Sequence, residues 1–182
     1  LAIGCPYLSS TGGAVGVFLG TPDGIDATSY SDAELVITGS LSPNSSGLGV
    51  SVAFGDIDAD GNPDILAGAN YHSLSTSADY DGQVVMMFAG SSGTVSADMA
   101  DGLILGDQSG GYLGEALVAG QDVDGDGYDD LALGAPSADG DASGAGQLIL
   151  VYGPVSGTIA LSELPDGLLG SSTGDQLGSS LA

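Results

Sequence analysis

One nine-residue acidic stretch occurs twice. Asp122-Val123-Asp124-Gly125-Asp126-Gly127-Tyr128-Asp129-Asp130 has an earlier relative in Asp56-Ile57-Asp58-Ala59-Asp60-Gly61-Asn62-Pro63-Asp64. Both place carboxylates at positions 1, 3, 5 and 9. Carboxylates held about 5 Å apart repel by about 3 kcal/mol per pair at an effective dielectric near 20, and by about 0.8 kcal/mol in bulk water. Left alone, such a loop splays. A hard dication reverses the sign, because it needs six to eight oxygens at about 2.3 to 2.6 Å, and alternate carboxylates on a chain bent by glycine converge to supply them.

The spacing therefore predicts two calcium sites. The first ligand set is Asp56, Asp58, Asp60 and Asp64 with the carbonyl of Asn62; the second is Asp122, Asp124, Asp126 and Asp130 with the carbonyl of Tyr128. Asp129 is expected to point outward. An EF-hand needs a bidentate Glu at position 12, where this chain has Ala67 and Leu133. Magnesium prefers octahedral sites that keep several waters, which leaves calcium the better match. A turn without metal is the alternative, since Asp and Gly both favour turns.

The loops belong to a longer repeat. Leu48-Gly49 precedes the first and Leu113-Gly114 the second, and Leu177-Gly178 begins a third copy, with 113 − 48 = 65 and 177 − 113 = 64. After each loop comes an apolar run containing glycine, at 65–70 and 131–136, and residues 1–6 match it. A Ser, Asp and Gly-rich connector follows, then runs at 14–19, 83–88 and 147–152, and shorter ones at 35–38, 103–105 and 168–169. Short runs rich in Val, Ile, Leu, Tyr and Phe between Gly, Ser, Asp and Pro read as strands. Thirty-three glycines make helix interiors costly, at about 1 kcal/mol each. Residues 31–34 and 96–99 are the places for a helical turn.

With first strands at 48–54, 113–119 and 177–182, each period holds four strands, which predicts propeller blades packed face to face. The expected fold is all-β: about three four-stranded repeats of roughly 65 residues in an incomplete or open ring. Its units are a partial blade at 1–47 (strands two to four), blades with calcium loops at 48–112 and 113–176, and at 177–182 the first strand of a next or completing blade.

Composition limits the partners. Asp plus Glu is 24 and Lys plus Arg is zero, so apart from the single His72 no side chain can form an internal salt bridge. Nucleic acids and anionic membranes are bound through Lys and Arg, and both are excluded as direct partners. With 42% hydrophobic residues, a 182-residue chain folding as one unit buries roughly 70% of its unfolded surface. Cys5 is alone, which rules out an internal disulfide. No apolar run is long enough to span a bilayer and no basic leader precedes one, so direct membrane insertion is not expected. Leu1 in place of Met suggests a mature or excised piece.

The chain resembles FG-GAP repeats, the blade units of the integrin α-subunit β-propeller, found also in bacterial surface proteins. The resemblance rests on Leu113-Gly114, the Asp122 to Asp130 loop, Gly134-Ala135-Pro136 and the run from Leu148 to Tyr152, and it extends over essentially the whole length. It implies calcium as a structural ion on the Asp positions above, a propeller architecture, and an extracellular or cell-surface adhesion or scaffold role. Leu stands where the family has Phe in all three Leu-Gly pairs, Gly-Ala-Pro is complete once, and three repeats are fewer than the integrin seven.

Function is read accordingly as a calcium-stabilised, non-enzymatic adhesion or structural propeller segment, a building block of a surface assembly. The alternatives are a carbohydrate-binding propeller module or the non-catalytic propeller of a larger secreted enzyme. Leu1 aligns just after a loop and Ala182 just before one. The strand at 177–182 is therefore expected to complete a blade by self-association or by joining further repeats of a longer chain, with a glycan or surface protein as further partner. The Asp79-Tyr80-Asp81 and Asp139-Gly140-Asp141 connectors are weaker candidates for a second cation or glycan site. Asn44-Ser45-Ser46 is a glycosylation sequon.

Overall fold

The computed structural model describes residues 1–27, 29–40, 45–74, 79–165 and 167–182; Asn44, the sequon residue, lies outside them. Among the described residues, thirteen strands form three sheets. The first has the order β1 (Ala2–Cys5), β2 (Ala14–Val17), β3 (Leu35–Thr38) and β7 (Gly93–Ser96). The second runs β4 (Leu48–Gly55), β5 (Asp64–Ala69), β6 (Gln83–Met87), β8 (Gly102–Leu105) and β12 (Gly157–Ala160). The third runs β9 (Ala116–Gln121), β10 (Asp130–Ala135), β11 (Gln147–Val151) and β13 (Leu168–Leu169). Among the described residues there is no α-helix, and the chain is the expected all-β set of propeller blades without a closed ring.

Two strands were not foreseen. β7 and β12 leave their own repeats and pair in parallel with β3 and β8, the outermost strands of the preceding blades. Each blade thus clasps the one before it. Their signal is present as Gly93-Thr94-Val95-Ser96 and Gly157-Thr158-Ile159-Ala160, which lie one repeat apart. One β-branched apolar residue in four is too little to mark a strand without its partner. Residues 177–182, expected as a strand, instead form a single parallel bridge from Leu177 to Gly146. The expected helical turns at 31–34 and 96–99 appear as 3-10 turns at Tyr30–Asp32 and Ala97–Met99, joined by a third at Leu161–Glu163.

The alternation of side chains along each strand explains the stacking. In the middle sheet, Ile65, Ala67, Ala69, Val85 and Met87 pack with Val15, Val17, Leu35 and Ile37 of the first. Leu66, Val84, Met86 and Ile104 pack with Leu131, Leu133, Ile149 and Val151 of the third. Both faces are buried, which is why β5 and β6 read as continuous apolar runs. Each fully covered Leu, Ile, Val or Met contributes roughly 1.5 to 3 kcal/mol.

The Leu-Gly pairs mark the seams between blades. Leu48, Leu113 and Leu177 form parallel bridges to Gly13, Gly82 and Gly146, and Leu48 and Leu113 are fully buried. The following glycines, Gly49, Gly114 and Gly178, have φ of 96°, 86° and 87°, a region that other residues enter at a cost.

Candidate metal centre

Each acidic loop joins the first strand of a blade to its second: β4 to β5 and β9 to β10. The position 9 carboxylates, Asp64 and Asp130, are buried at the start of β5 and β10. Asp64 accepts from the Ile57 amide at 2.9 Å through Oδ2 and from the Ala89 amide at 2.9 Å through Oδ1. Asp130 repeats this, accepting from Val123 at 2.7 Å and Gly153 at 2.9 Å. One carboxylate in each blade thus ties the loop's entry to the residues that follow the third strand.

The other acids shape the bend. Oδ2 of Asp56 accepts from the Gly61 amide and Oδ2 of Asp122 from the Gly127 amide, both at 3.0 Å. Asp58 and Asp124 accept from Asp60 and Asp126, each at 3.1 Å. Asp60 and Asp126 in turn accept from the amides of Asn62 at 2.7 Å and Tyr128 at 3.0 Å. The last four are turn bonds of the kind Asp makes to backbone two residues on, and the first two close the loop over five residues.

The carboxylates converge. One oxygen from each of Asp56, Asp58 and Asp64 lies within 4.8 Å of the others, and the same holds for Asp122, Asp124 and Asp126. Asp60 stands outside the first group and Asp130 outside the second. Asn62 and Tyr128 enter the loops through their amides; their carbonyls remain candidate ligands by spacing. Oδ1 of Asp56 is buried with no hydrogen-bond partner among the described residues, the kind of oxygen a cation would satisfy. Desolvation and repulsion from Asp58 and Asp60 hold the Asp64 carboxyl above its ordinary value, against the pull of the Ala89 and Ile57 amides. Desolvation raises Asp124 likewise, with Asp126, Asp130 and Asp122 adding repulsion. An all-oxygen anionic donor set in a site that penalises its own charge fits a hard dication.

Asp129 does not point outward. Its Oδ2 accepts from the Asp56 amide at 2.7 Å, and its own amide donates to the Asp56 carbonyl at 3.0 Å. Spacing could not show this, because the partner lies 73 residues away in another blade.

The connectors emerge at other seams. Oδ2 of Asp81 accepts from the Leu74 amide at 3.2 Å, and Oδ1 of Asp139 from Gly144 at 2.8 Å. Nearby, Tyr71, Tyr80 and Tyr112 pack with centroids 5.7 to 5.9 Å apart. A cavity of about 250 Å³ opens beside them, lined by Asn70, Tyr71, Tyr112, Glu115, Gln176 and Ser179. Sequence reading missed this cluster because Tyr80 and Tyr112 have no counterparts in the other repeats, whereas Tyr71 recurs as Tyr7.

Blades of four strands, with an acidic loop between first and second and a glycine seam to the next blade, define a propeller-type repeat protein. Within that class the chain belongs to the FG-GAP repeat family, which matches residues 48–85 and 113–151. Integrin alpha-IIb of Mus musculus is 34% identical over 138 residues, covering 74% of this chain and 13% of that protein. Integrin alpha-7 of Mus musculus is 35% identical over 143 residues, 74% and 11%. Integrin alpha pat-2 of Caenorhabditis elegans is 31% identical over 128 residues, 64% and 10%. The chain spans about a tenth of the length of these relatives. Among the described residues no helix is long and apolar enough to cross a membrane.

Proposed function

We propose that the chain is a calcium-stabilised extracellular segment of an adhesion or structural propeller, in which the two acidic loops hold the ion and the blades present the connecting loops to a partner. The observation that carries this reading is the shared bonding scheme of the loops, in which a buried position 9 carboxylate ties each loop to the strand behind it. Asp56, Asp58, Asp60 and Asp64 with the Asn62 carbonyl would hold one ion; Asp122, Asp124, Asp126 and Asp130 with the Tyr128 carbonyl would hold the other. When bound, the ion neutralises carboxylates that otherwise repel, which couples binding to ordering of the loops. The relatives, integrin alpha subunits, support the adhesive and cell-surface parts of the reading. Calorimetric titration with calcium tests it: two bound ions are expected, and no heat of binding above the magnesium control removes it.

Self-association or continuation into further repeats is proposed through residues 177–182 and β1. β1 is an edge strand, whereas its counterparts β5 and β10 are flanked by β4 and β9. Gly178 is already seated against Gly134, as Gly49 is against Gly4 and Gly114 against Gly68.

A neutral glycan is the second reading for the partner. The rings of Tyr71 and Tyr112 stand at 86° to one another beside the polar groups of Asn70, Glu115 and Gln176. Aromatic faces with a few convergent polar groups suit a sugar. Shifts of amides near Tyr112 on titration with neutral oligosaccharides support it; their absence across a glycan panel removes it.

A further inference from the structure

We propose that Asp129, a residue of the second acidic loop, is a positioning residue for the cation site of the first, so that the two loops load cooperatively; this rests on reading both loops as calcium sites. Asp56 opens the first loop and carries a buried oxygen that lacks a hydrogen-bond partner among the described residues. Its peptide is gripped from the neighbouring blade by the Asp129 carboxylate on one side and the Asp129 amide on the other, at 2.7 and 3.0 Å. The direction of that oxygen therefore depends on where Asp129 stands.

Asp129 is in turn fixed by the second loop. On one side, the Tyr128 amide is held by Asp126 at 3.0 Å. On the other, Asp130 spans the Val123 and Gly153 amides. The stems of the two loops leave no slack: a Cβ on Gly55 at the end of β4 would stand 3.0 Å from the Gly120 nitrogen of β9 and 3.2 Å from the Ala119 methyl. The link is particular to this pair of blades. Pro63 occupies the position in the first loop that Asp129 occupies in the second, and proline offers neither a carboxylate nor an amide hydrogen.

Without a cation, carboxylate repulsion works against the hydrogen-bonded arrangement of each loop and leaves it some freedom. A cation in the second loop removes that freedom and with it the freedom of Asp129, so the first loop then meets its ion with its leading residue already placed. Ordering already done by one ligand lowers what the next must supply. Such coupling is reciprocal, and is typically five- to 150-fold in affinity. Repulsion between the two dications opposes it, but is reduced by screening at physiological ionic strength.

The test is a calcium titration of the full chain at about 0.15 M salt, followed by amide NMR. The Gly61 amide, which donates to Asp56, reports the first loop, and the Gly127 amide, which donates to Asp122, reports the second. Disabling the exposed second loop with Asp124→Ala is expected to weaken calcium binding at Gly61 about tenfold. Asp129→Ala should produce the same loss with Gly127 still responding to calcium, and the double variant no further loss. Asp129→Asn, which keeps an acceptor oxygen, should restore most of it. A merely structural role for Asp129 predicts additive losses in the double variant, which overturns the proposal, as does an unchanged Gly61 affinity in Asp124→Ala. If neither amide responds to calcium in the unaltered chain, the calcium reading itself falls, and the coupling with it.

Discussion

Gly68 in β5 and Gly114 at the head of the following repeat meet backbone to backbone, so close that a methyl group on Gly68 would occupy the space of the Gly114 carbonyl oxygen. The same contact joins Gly4 to Gly49 and Gly134 to Gly178. Beside it the Ser51 hydroxyl donates to the Gly114 carbonyl at 2.7 Å, and the Gly114 amide donates to the Gly134 carbonyl at 3.0 Å. The blades are spaced by this contact.

Gly68→Ala must therefore separate two blades or bend a strand, at an expected cost of about 1 to 3 kcal/mol or more. Gly20→Ala is the control, since its Cβ meets nothing within 4 Å and its φ is not positive. Urea unfolding should show the first variant clearly weakened and the second within about 0.5 kcal/mol of the unaltered chain.

Calcium removal should lower the melting temperature. A site at a hundredfold excess of ligand over its Kd adds about 2.7 kcal/mol, so chelation followed by restored calcium should give a reversible shift. Asp124→Ala should reduce the calcium-dependent part. Melting unchanged by excess chelator and then by calcium contradicts the structural role of the ion.

His72 gives the fold an acid sensitivity independent of the ion. Burial holds its imidazole below the ordinary value of 6.5, partly offset by Asp81 and Asp98, and its Nδ1 is buried without a hydrogen-bond partner among the described residues. Below pH 6.5 the unfolded chain takes up a proton that the folded chain resists. Stability from this group is therefore fully present above 6.5 and is lost as pH falls through the lowered value. His72→Gln should flatten the difference in stability between pH 7.5 and 5.5 relative to the unaltered chain, read from urea unfolding in chelator.

Assembly through residues 177–182 predicts a mass above that of one chain, rising with protein concentration in sedimentation equilibrium. Added salt should favour it, because each copy carries a formal charge of −24 and like charges are screened within about 8 Å at physiological ionic strength. A well-behaved monomer at all concentrations removes self-association.

Much of this protein follows from sequence by itself. The repeat of Leu-Gly, acidic loop and apolar run set the strand order within each blade, and the carboxylate spacing marked both loops, because these features depend on residues close together along the chain. Contacts between blades were decided by the tertiary structure. The parallel clasps of β7 and β12 join strands of different repeats, and the bond from Asp129 to Asp56 crosses 73 residues. Asp129 shows the limit well. Alternation along the loop turns it away from the ligand side, but another blade lies in that direction. What a side chain meets once it leaves its own loop is fixed by the stacking of sheets, and that stacking is set by buried faces and glycine seams far apart in sequence.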